Sequence, residues 1–183
     1  MKKLLFITLL FSCIALNAQI RIEEPEFSGN VVFVNDSIGD GIKLEIQTAS
    51  IKTNSNGAAY VPVVGLFAGK ATSKNAIQGT ASTVQIDKRT KVQFIVKVSD
   101  NSVDPVTVIN IFKLKVEKNK RTLDVASASV LGSSKSGDIT YLPFQGKKYG
   151  KSSYLLTIEN IEPGEYAITL ANRRDIFNTF GIR

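Results

Sequence analysis

The chain has 183 residues and a formal net charge of +7, with 23 Lys and Arg against 16 Asp and Glu, no histidine and one cysteine. Without histidine the chain cannot form Ser-His-Asp or Cys-His nucleophile sites. Zinc, copper, haem and iron–sulfur sites also lose their usual ligands, so no cofactor is expected. Carboxylate chemistry and a cation site made of oxygens remain open.

Residues 1–18 have the organisation of a secretory signal peptide. Lys2 and Lys3 form a positive n-region, residues 4–16 are apolar, and Ala18 suits a cleavage site. The apolar run is too short to cross a bilayer, which takes about 20 residues. We therefore expect a periplasmic or extracellular protein after cleavage.

The alternative for this segment is a lipoprotein cut before Cys13. Phe11 is bulky where that motif prefers a small or aliphatic residue, and the apolar run continues past the cysteine, so the signal peptide is the preferred interpretation. The mature chain, residues 19–183, then carries a net charge of +5, no cysteine and no transmembrane segment.

The first half of the mature chain has the pattern of strands divided by turns. Residues 31–34 are β-branched and aromatic, and 42–47 alternate apolar with polar side chains. Asn56-Gly57 favours a hairpin. Pro62 inside the apolar run 60–67 favours an edge strand or a bulge there. Two more strands are predicted over 83–86 and 92–98.

The second half continues the same pattern. The facing of side chains over 106–116 changes near Ile111 and Phe112, which predicts a bulge or a stretch buried on both sides. A Ser/Gly-rich loop is predicted over 132–137. Further strands are predicted over 122–130, 139–144, 153–158, 164–170 and 176–182.

This strand spacing predicts an all-β fold, an antiparallel β-sandwich of the Ig-like or jelly-roll-like kind. The length suits a single β-sandwich domain over 19–183. Two small packed β-subdomains are the alternative, with an internal boundary near 88–91.

A tight turn enters the strand at 164–170. Pro163 and Gly164 suit a type II turn, and Tyr166 and Ile168 then share one face. Together with segments 92–96, 104–105, 109–114, 150–154 and 180–182, this Pro-Gly-x-Tyr corner resembles uncharacterised secreted proteins of Bacteroidota. The resemblance implies an envelope or secreted β-domain and transfers no catalytic residues.

The stretch GKKYGKSS, residues 146–153, ends like a phosphate-binding loop. That motif needs four residues between its glycines and a helix after it, whereas Gly146 and Gly150 are separated by three and 153–158 alternates as a strand. The stretch is therefore predicted to be a loop joining two strands, with solvated lysines. It supplies the candidate binding residues, which are Lys147, Lys148, Tyr149 and Lys151.

A second basic segment comprises Lys113, Lys115, Lys118, Lys120 and Arg121. Exposed cations of this kind attract an anionic glycan or an acidic envelope protein over a long range. Nucleic acid is not an expected partner, because Tyr149 alone is a poor platform for stacking bases.

The acidic clusters are predicted to form turns and not to bind metal. Asp36 with Asp40, and Asp100 with Asp104, do not match the calcium-binding loop pattern, and such residues form turns through their own backbone. No catalytic pair stands out among the glutamates, which are expected in a frayed N-terminus or solvated around a turn: Glu23, Glu24, Glu26, Glu159, Glu162 and Glu165.

These observations favour a non-catalytic secreted domain that binds another envelope component, protein or glycan, or has a structural role towards it. An enzyme is not expected. The alternative is a carbohydrate-active module, either glycan-binding or hydrolytic through a carboxylate pair. The absence of tryptophan weakens both glycan hypotheses, because aromatic rings are the usual platforms for sugars.

Overall fold

The computed structural model describes residues 22–37, 39–48, 50–55, 70–129, 134–136, 140–173 and 176–183. Over these residues the protein is all-β, with antiparallel sheets packed as a β-sandwich, as the strand pattern predicted. The expected signal peptide and the strand predicted over 60–67 lie outside the described residues. Among the residues described, no helix is long and apolar enough to cross a membrane.

The first sheet has five antiparallel strands in the order β11-β12-β7-β1-β2. Its central strand alternates, with Val92, Phe94 and Val96 buried between the sheets. The strands are β1 (Val31–Asn35), β2 (Asp40–Lys43), β7 (Lys91–Lys97), β11 (Gln145–Tyr149) and β12 (Ser153–Glu159).

The second sheet follows the order β3-β14-β13-β8-β9-β5-β4, with β10 beside β9 and β6 parallel to β14. Its strands are β3 (Glu45–Thr48), β4 (Ser50–Ser55), β5 (Lys70–Gln78), β6 (Gln85–Ile86), β8 (Ile109–Glu117), β9 (Lys120–Ser129), β10 (Ser134–Ser136), β13 (Gly164–Leu170) and β14 (Ile176–Ile182). The segment predicted as a Ser/Gly loop thus contains β10, because its backbone pairs with β9.

A chain of aromatic rings joins the two sheets across the core. Phe33 of β1 lies 5.8 Å from Phe94 of β7, and Phe94 lies 4.6 Å from Phe180 of β14. Phe180 in turn stacks on Tyr166 of β13 at 5.4 Å. Aromatic pairs at these separations add stabilisation beyond the area they bury, so the rings hold the faces of both sheets together.

β8 is buried on both faces, which decides between the two predictions for this segment. Ile109 and Ile111 belong to the core between the sheets, whereas Phe112 and Leu114 belong to a second apolar cluster with Ala167 and Phe177. Its pairing with β13 runs from Ile109 to Leu114 without a register shift. The change of facing therefore marks a doubly buried strand and not a bulge.

Two predicted strands differ from the structure. Pro105–Val108 form one helical turn, α1, because Asp104 accepts the Val106 N–H at 3.0 Å as an N-cap and proline suits the first helical position. β8 therefore starts at Ile109. The second is the strand predicted over 139–144. Its described residues form an isolated β-bridge, between Tyr141 and Phe112.

The tyrosine corner predicted before β13 is present, but the type II turn is not, because Gly164 has a φ of 151° and that turn needs a φ of roughly +80°. The Tyr166 hydroxyl donates to the Glu162 carbonyl at 2.7 Å, the bond by which a tyrosine corner fixes the entry to a sandwich strand. Asn160 has φ of 51°, a conformation that asparagine tolerates better than most residues. Tyr166 and Ile168 both face the core, as their alternation predicted.

Candidate binding face on the five-stranded sheet

The structure places the four predicted binding residues on a strand and a turn, not on a loop. Lys147, Lys148 and Tyr149 end the edge strand β11, and Lys151 lies in the turn to β12. The prediction of a loop was wrong. Glycine and lysine are poor strand formers in general, but residues 145–149 pair with β12 in continuous register. The three lysines are exposed, as predicted.

The outer face of this sheet carries an apolar row with a lysine at each end. The strand registers align Val32, Ile95 and Leu155 across β1, β7 and β12, with Lys43 on β2 and Lys147 on β11 beyond them. Residues in direct register share a face. The outer face of the sheet is therefore apolar in the middle and positively charged at both edges.

The segment that precedes β1 crosses this face. Ile22 lies over Gly41, where a Cβ would be only 2.7 Å from the Ile22 side chain. The Tyr149 hydroxyl donates to the Ile22 carbonyl. Ile95 is only 1% exposed although it faces outward, so this segment covers the middle of the apolar row.

A groove of about 510 Å³ remains beside the crossing segment. Its floor is apolar and its rim is charged or polar, which is the usual composition of a binding site. It brings together three of the four predicted residues, Lys147, Lys148 and Tyr149, with Ile22, Val34, Asp36, Gln93, Ile95, Gly150 and Leu155. Lys151 does not line the groove that these residues form.

The Glu24 carboxylate anchors the crossing segment to the turn between β11 and β12. It accepts the backbone N–H groups of Lys151 at 2.5 Å and Ser152 at 3.1 Å. The Ser153 hydroxyl donates at 2.7 Å, and the Lys97 ammonium lies 3.0 Å away. The turn that resembled a phosphate-binding loop thus binds an anion, which is a carboxylate of the same chain.

These contacts change the acidity of Glu24. Partial burial raises the pKa of its carboxyl group, but hydrogen bonds from Lys151, Ser153, Lys97 and Ser152 outweigh burial and lower the pKa from 4.5 to about 2. Bonds that favour the ionised form act in this direction. The expectation that Glu24 belongs to a frayed terminus was wrong, and no local pattern marks its distant donors.

The second basic segment does not form a continuous cationic surface. Lys113 lies 3.7 Å from Glu162 and above the Tyr166 ring, and Lys120 lies 3.4 Å from Glu117. Arg121 is fully buried. Lys115 and Lys118 are exposed, so this segment offers less free charge than its sequence suggested.

The buried Arg121 pairs with Glu165, which the sequence placed on a solvated turn. The two side chains are 3.2 Å apart. Ser82 adds its N–H at 2.8 Å and its hydroxyl at 2.5 Å to the same carboxylate, and Gln85 donates at 3.0 Å to the other oxygen. Arg121 also donates to the Gly79 carbonyl at 3.2 Å. Every charged group here is satisfied, which indicates a structural cluster.

The acidic turns use their carboxylates on their own backbone. Asp40 accepts the Gly41 N–H at 2.7 Å, and Asp100 accepts the Ser102 N–H at 3.0 Å. This is the turn-forming role that was predicted. Among the described residues, no group of three or more His, Cys, Asp or Glu side chains is placed to hold a metal ion.

No protein-family model matches the chain, and no curated protein is similar to it.

Proposed function

We propose that the protein is a non-catalytic, secreted β-sandwich domain that binds an acidic, extended segment of another envelope protein along the outer edge of β11. β11 is the terminal strand of the five-stranded sheet. A terminal strand is the position where a further strand adds through backbone hydrogen bonds. The charge on β11 selects the chemistry of the added segment.

The single observation that carries this proposal is the position of the lysines on β11. Lys147 is in register with the outward-facing Leu155, and Lys148 with the core-facing Tyr154, so the two ammonium groups leave the strand on opposite faces. An added strand with carboxylates on both faces would meet a lysine on each. Cross-strand pairs of opposite charge stabilise a sheet.

The groove supplies a second element of recognition. It adjoins Lys147 and has an apolar floor that includes the half-buried side chains of Val34 and Leu155. An apolar side chain of the bound segment would bury part of this floor. The same lysines disfavour pairing between two copies of β11, because like charges would face each other. The edge would therefore accept an acidic partner and reject its own copy.

Secretion belongs to the same proposal. The signal-peptide pattern of residues 1–18 would deliver the domain to the periplasm or the cell exterior, where it would meet envelope proteins and anionic glycans. The Bacteroidota resemblance points to the same compartment.

The test compares a synthetic acidic peptide of about eight residues, in which pairs of adjacent glutamates alternate with pairs of valines so that both faces carry carboxylates, with polygalacturonate as an anionic glycan. Binding to the isotope-labelled mature chain is followed by NMR. We expect the peptide to shift the amide signals of β11 and to bind more weakly as salt rises. The double variant Lys147→Glu and Lys148→Glu should lose this binding.

The matched control is the double variant Lys115→Glu and Lys118→Glu, which makes the same charge change on the exposed side of another hairpin. It should bind as the wild type does. Charge reversal at Lys147, Lys148 and Lys151 should leave the melting temperature nearly unchanged, because these side chains are exposed. Equal peptide binding by both double variants, preference for polygalacturonate, or its hydrolysis would each overturn the proposal.

A further inference from the structure

Two side chains, two residues apart, attach the crossing segment to the first sheet. Ile22 lies over Gly41 of β2, and the Glu24 carboxylate lies at the turn between β11 and β12. Glu23, between them, is exposed. Alternate side chains of an extended backbone point to the same side. The segment therefore presents one apolar and one acidic side chain to the sheet, with an exposed position between them.

A glycine leaves the room that each of these side chains occupies. A Cβ on Gly41 would lie 2.7 Å from the Ile22 side chain, and a Cβ on Gly150 would overlap the Glu24 carboxylate. Non-bonded carbon atoms pack at about 3.5–4.0 Å, so a larger residue at either position would displace the segment. The sheet thus has one position that accepts a branched apolar side chain and one that accepts a carboxylate.

The donors at the carboxylate position belong to the sheet and its turn. They are the N–H groups of Lys151 and Ser152, the Ser153 hydroxyl and the Lys97 ammonium group. With Glu24 in place, Ser153 is fully buried and the Lys97 side chain is only 19% exposed. Donors shielded from water cost free energy when they have no acceptor. This donor cluster is therefore suited to a carboxylate from any segment that lies across the face.

Side chains, and not a backbone ladder, hold the crossing segment in place. Besides the bonds of Glu24, the Tyr149 hydroxyl donates to the Ile22 carbonyl. Among the described residues, no backbone-to-backbone hydrogen bond joins residues 22–24 to a strand. Ile22 and Glu24 are only half-buried. Segments with few backbone bonds and little burial open at a low cost in free energy, so this one can leave the face while both sheets stay folded.

We infer that the two positions form a binding site for a partner segment of the pattern apolar-x-Glu, and that residues 22–24 fill this site in the free protein. The inference deepens the proposed function, on which it rests for the class of partner, an acidic segment of an envelope protein. The partner's glutamate would replace Glu24 in the donor cluster, and its apolar side chain would replace Ile22 over Gly41.

The resident segment would also set a threshold for binding. A tethered segment competes at an effective concentration on the order of millimolar. It would therefore exclude weak ligands from the site and be displaced by a partner that makes additional contacts with β11.

The test supplies the segment as a separate peptide after the resident copy is released. In the mature chain, Glu24→Lys places a second cation at the donor cluster and should empty the site. The peptide RIEEPE, blocked at both ends, copies residues 21–26, and its binding is followed by NMR. We expect saturable shifts of the Lys151 and Ser152 amide signals. Binding should be at least tenfold tighter than to the wild type, in which the tethered segment competes.

Matched peptides test the pattern. The peptide with Glu24→Gln should bind about tenfold more weakly than RIEEPE, because it forfeits hydrogen bonds that involve charge. The peptide with Glu23→Gln has the same net charge and changes only the exposed position, so it should bind as RIEEPE does. The peptide with Ile22→Asp should also bind more weakly, since an aspartate would be desolvated on the apolar row.

Two further chains control for the fold. Glu23→Lys makes the same charge change at the exposed neighbour and should bind the peptide as weakly as the wild type. Glu24→Gln keeps the size of the side chain and should give an affinity between those of the wild type and Glu24→Lys. It tests the site even if Glu24→Lys does not fold.

The outcomes separate this inference from the proposed function. Shifts confined to residues 145–149, and abolished by Lys147→Glu with Lys148→Glu, would overturn the inference and leave binding at the β11 edge intact. Shifts at Lys151 and Ser152 that survive this charge reversal would support the inference, even if the β11 edge bound no peptide.

Three other results would overturn the inference. They are equal binding of RIEEPE by the wild type and the Glu24 variants, equal binding of the two glutamine-substituted peptides, and no saturable binding to any chain.

Discussion

Glu24 shows how one residue can fix a segment that has no secondary structure. Its carboxylate contacts two backbone N–H groups, a hydroxyl and an ammonium group from β7 and the β11–β12 turn. Gly150, at φ of 55°, comes within 1.9 Å of this carboxylate when a Cβ is added. The turn thus requires glycine for two reasons, the left-handed backbone and the close approach of the anion.

The anchoring of Glu24 predicts a pH dependence of stability. Its folded-state pKa of about 2 lies below the value of 4.5 expected when it is free. A depressed pKa means that its contribution is present above pH 4.5 and is lost as the pH falls from there through 2. The variant Glu24→Gln should therefore lose less stability than the wild type between pH 5 and 2, measured by urea unfolding.

Glu23→Gln is the control for this experiment, because Glu23 is the exposed neighbour of Glu24. It should keep the pH slope of the wild type. If Glu24→Gln also keeps that slope, then Glu24 does not hold its buried contacts in solution.

Arg121 and Glu165 show the limit of residue-level prediction. Their sequence neighbours, Lys120 and Gly164, belong to a hairpin tip and a turn, and charged residues at such places are usually solvated. The two side chains become buried only because β9 and β13 approach the same end of the second sheet, with Ser82 between them. Composition and spacing carry no signal for a contact made at that distance along the chain.

At the scale of single elements, the alternation of apolar and polar side chains identified the strands that have one buried and one more exposed face. β12 was predicted from Tyr154, Leu156 and Ile158, and all three face the core. In β8 the sequence pattern indicated that apolar side chains change from one face of the strand to the other. Only the structure shows that Phe112 and Leu114 pack in a second cluster. For β8 and β12 the hydrophobic pattern thus predicted both the strand and its buried residues.

β11 was not predicted as a strand, because its structure depends on pairing with β12 and not on its own hydrophobic pattern. Its first four residues are exposed, so no buried face appears in its sequence. Gly146 faces inward opposite Leu156, and Pro105 of α1 packs against it. The strand is therefore specified by pairing with β12 and by the space that α1 takes, and the site that depends on it could be placed only from the structure.

The packing of α1 on β11 predicts an unusual effect of a strand-forming residue. A Cβ on Gly146 would lie 2.5 Å from Pro105 Cγ. Gly146→Val should therefore destabilise the protein by about 1–3 kcal/mol, as overpacking does, although valine favours strands in general. Gln145→Val, at the exposed preceding position, should be neutral or mildly stabilising. Urea unfolding measures both, and equal stability of the two variants would contradict the contact.

At the scale of the molecule, the chain interleaves the two sheets. Strands that precede residues 88–91 pair with strands that follow them in both sheets: β1 with β7, and β3 with β14. The chain passes from β2 in one sheet to β3 in the other through the single buried residue Leu44. Strand periodicity predicted the sandwich class, but it carries no information on this order, which depends on contacts between distant segments.

This interleaving predicts that the sandwich unfolds as one unit. The aromatic chain through Phe33, Phe94, Phe180 and Tyr166 crosses both sheets, so loss of either sheet exposes the core of the other. Urea unfolding of the mature chain should give one transition by circular dichroism and by tyrosine fluorescence, since the chain has no tryptophan.

Phe94→Ala sharpens this last prediction. Phe94 is fully buried and contacts rings of both sheets, so its truncation should cost about 3–5 kcal/mol. Because the core is shared, the transition should move to lower urea by the same amount for both probes. Tyr154 lies in the first sheet and Tyr166 in the second, and each can be followed by NMR. A variant in which the Tyr154 signal is lost while Tyr166 stays folded would mean two subdomains that unfold independently.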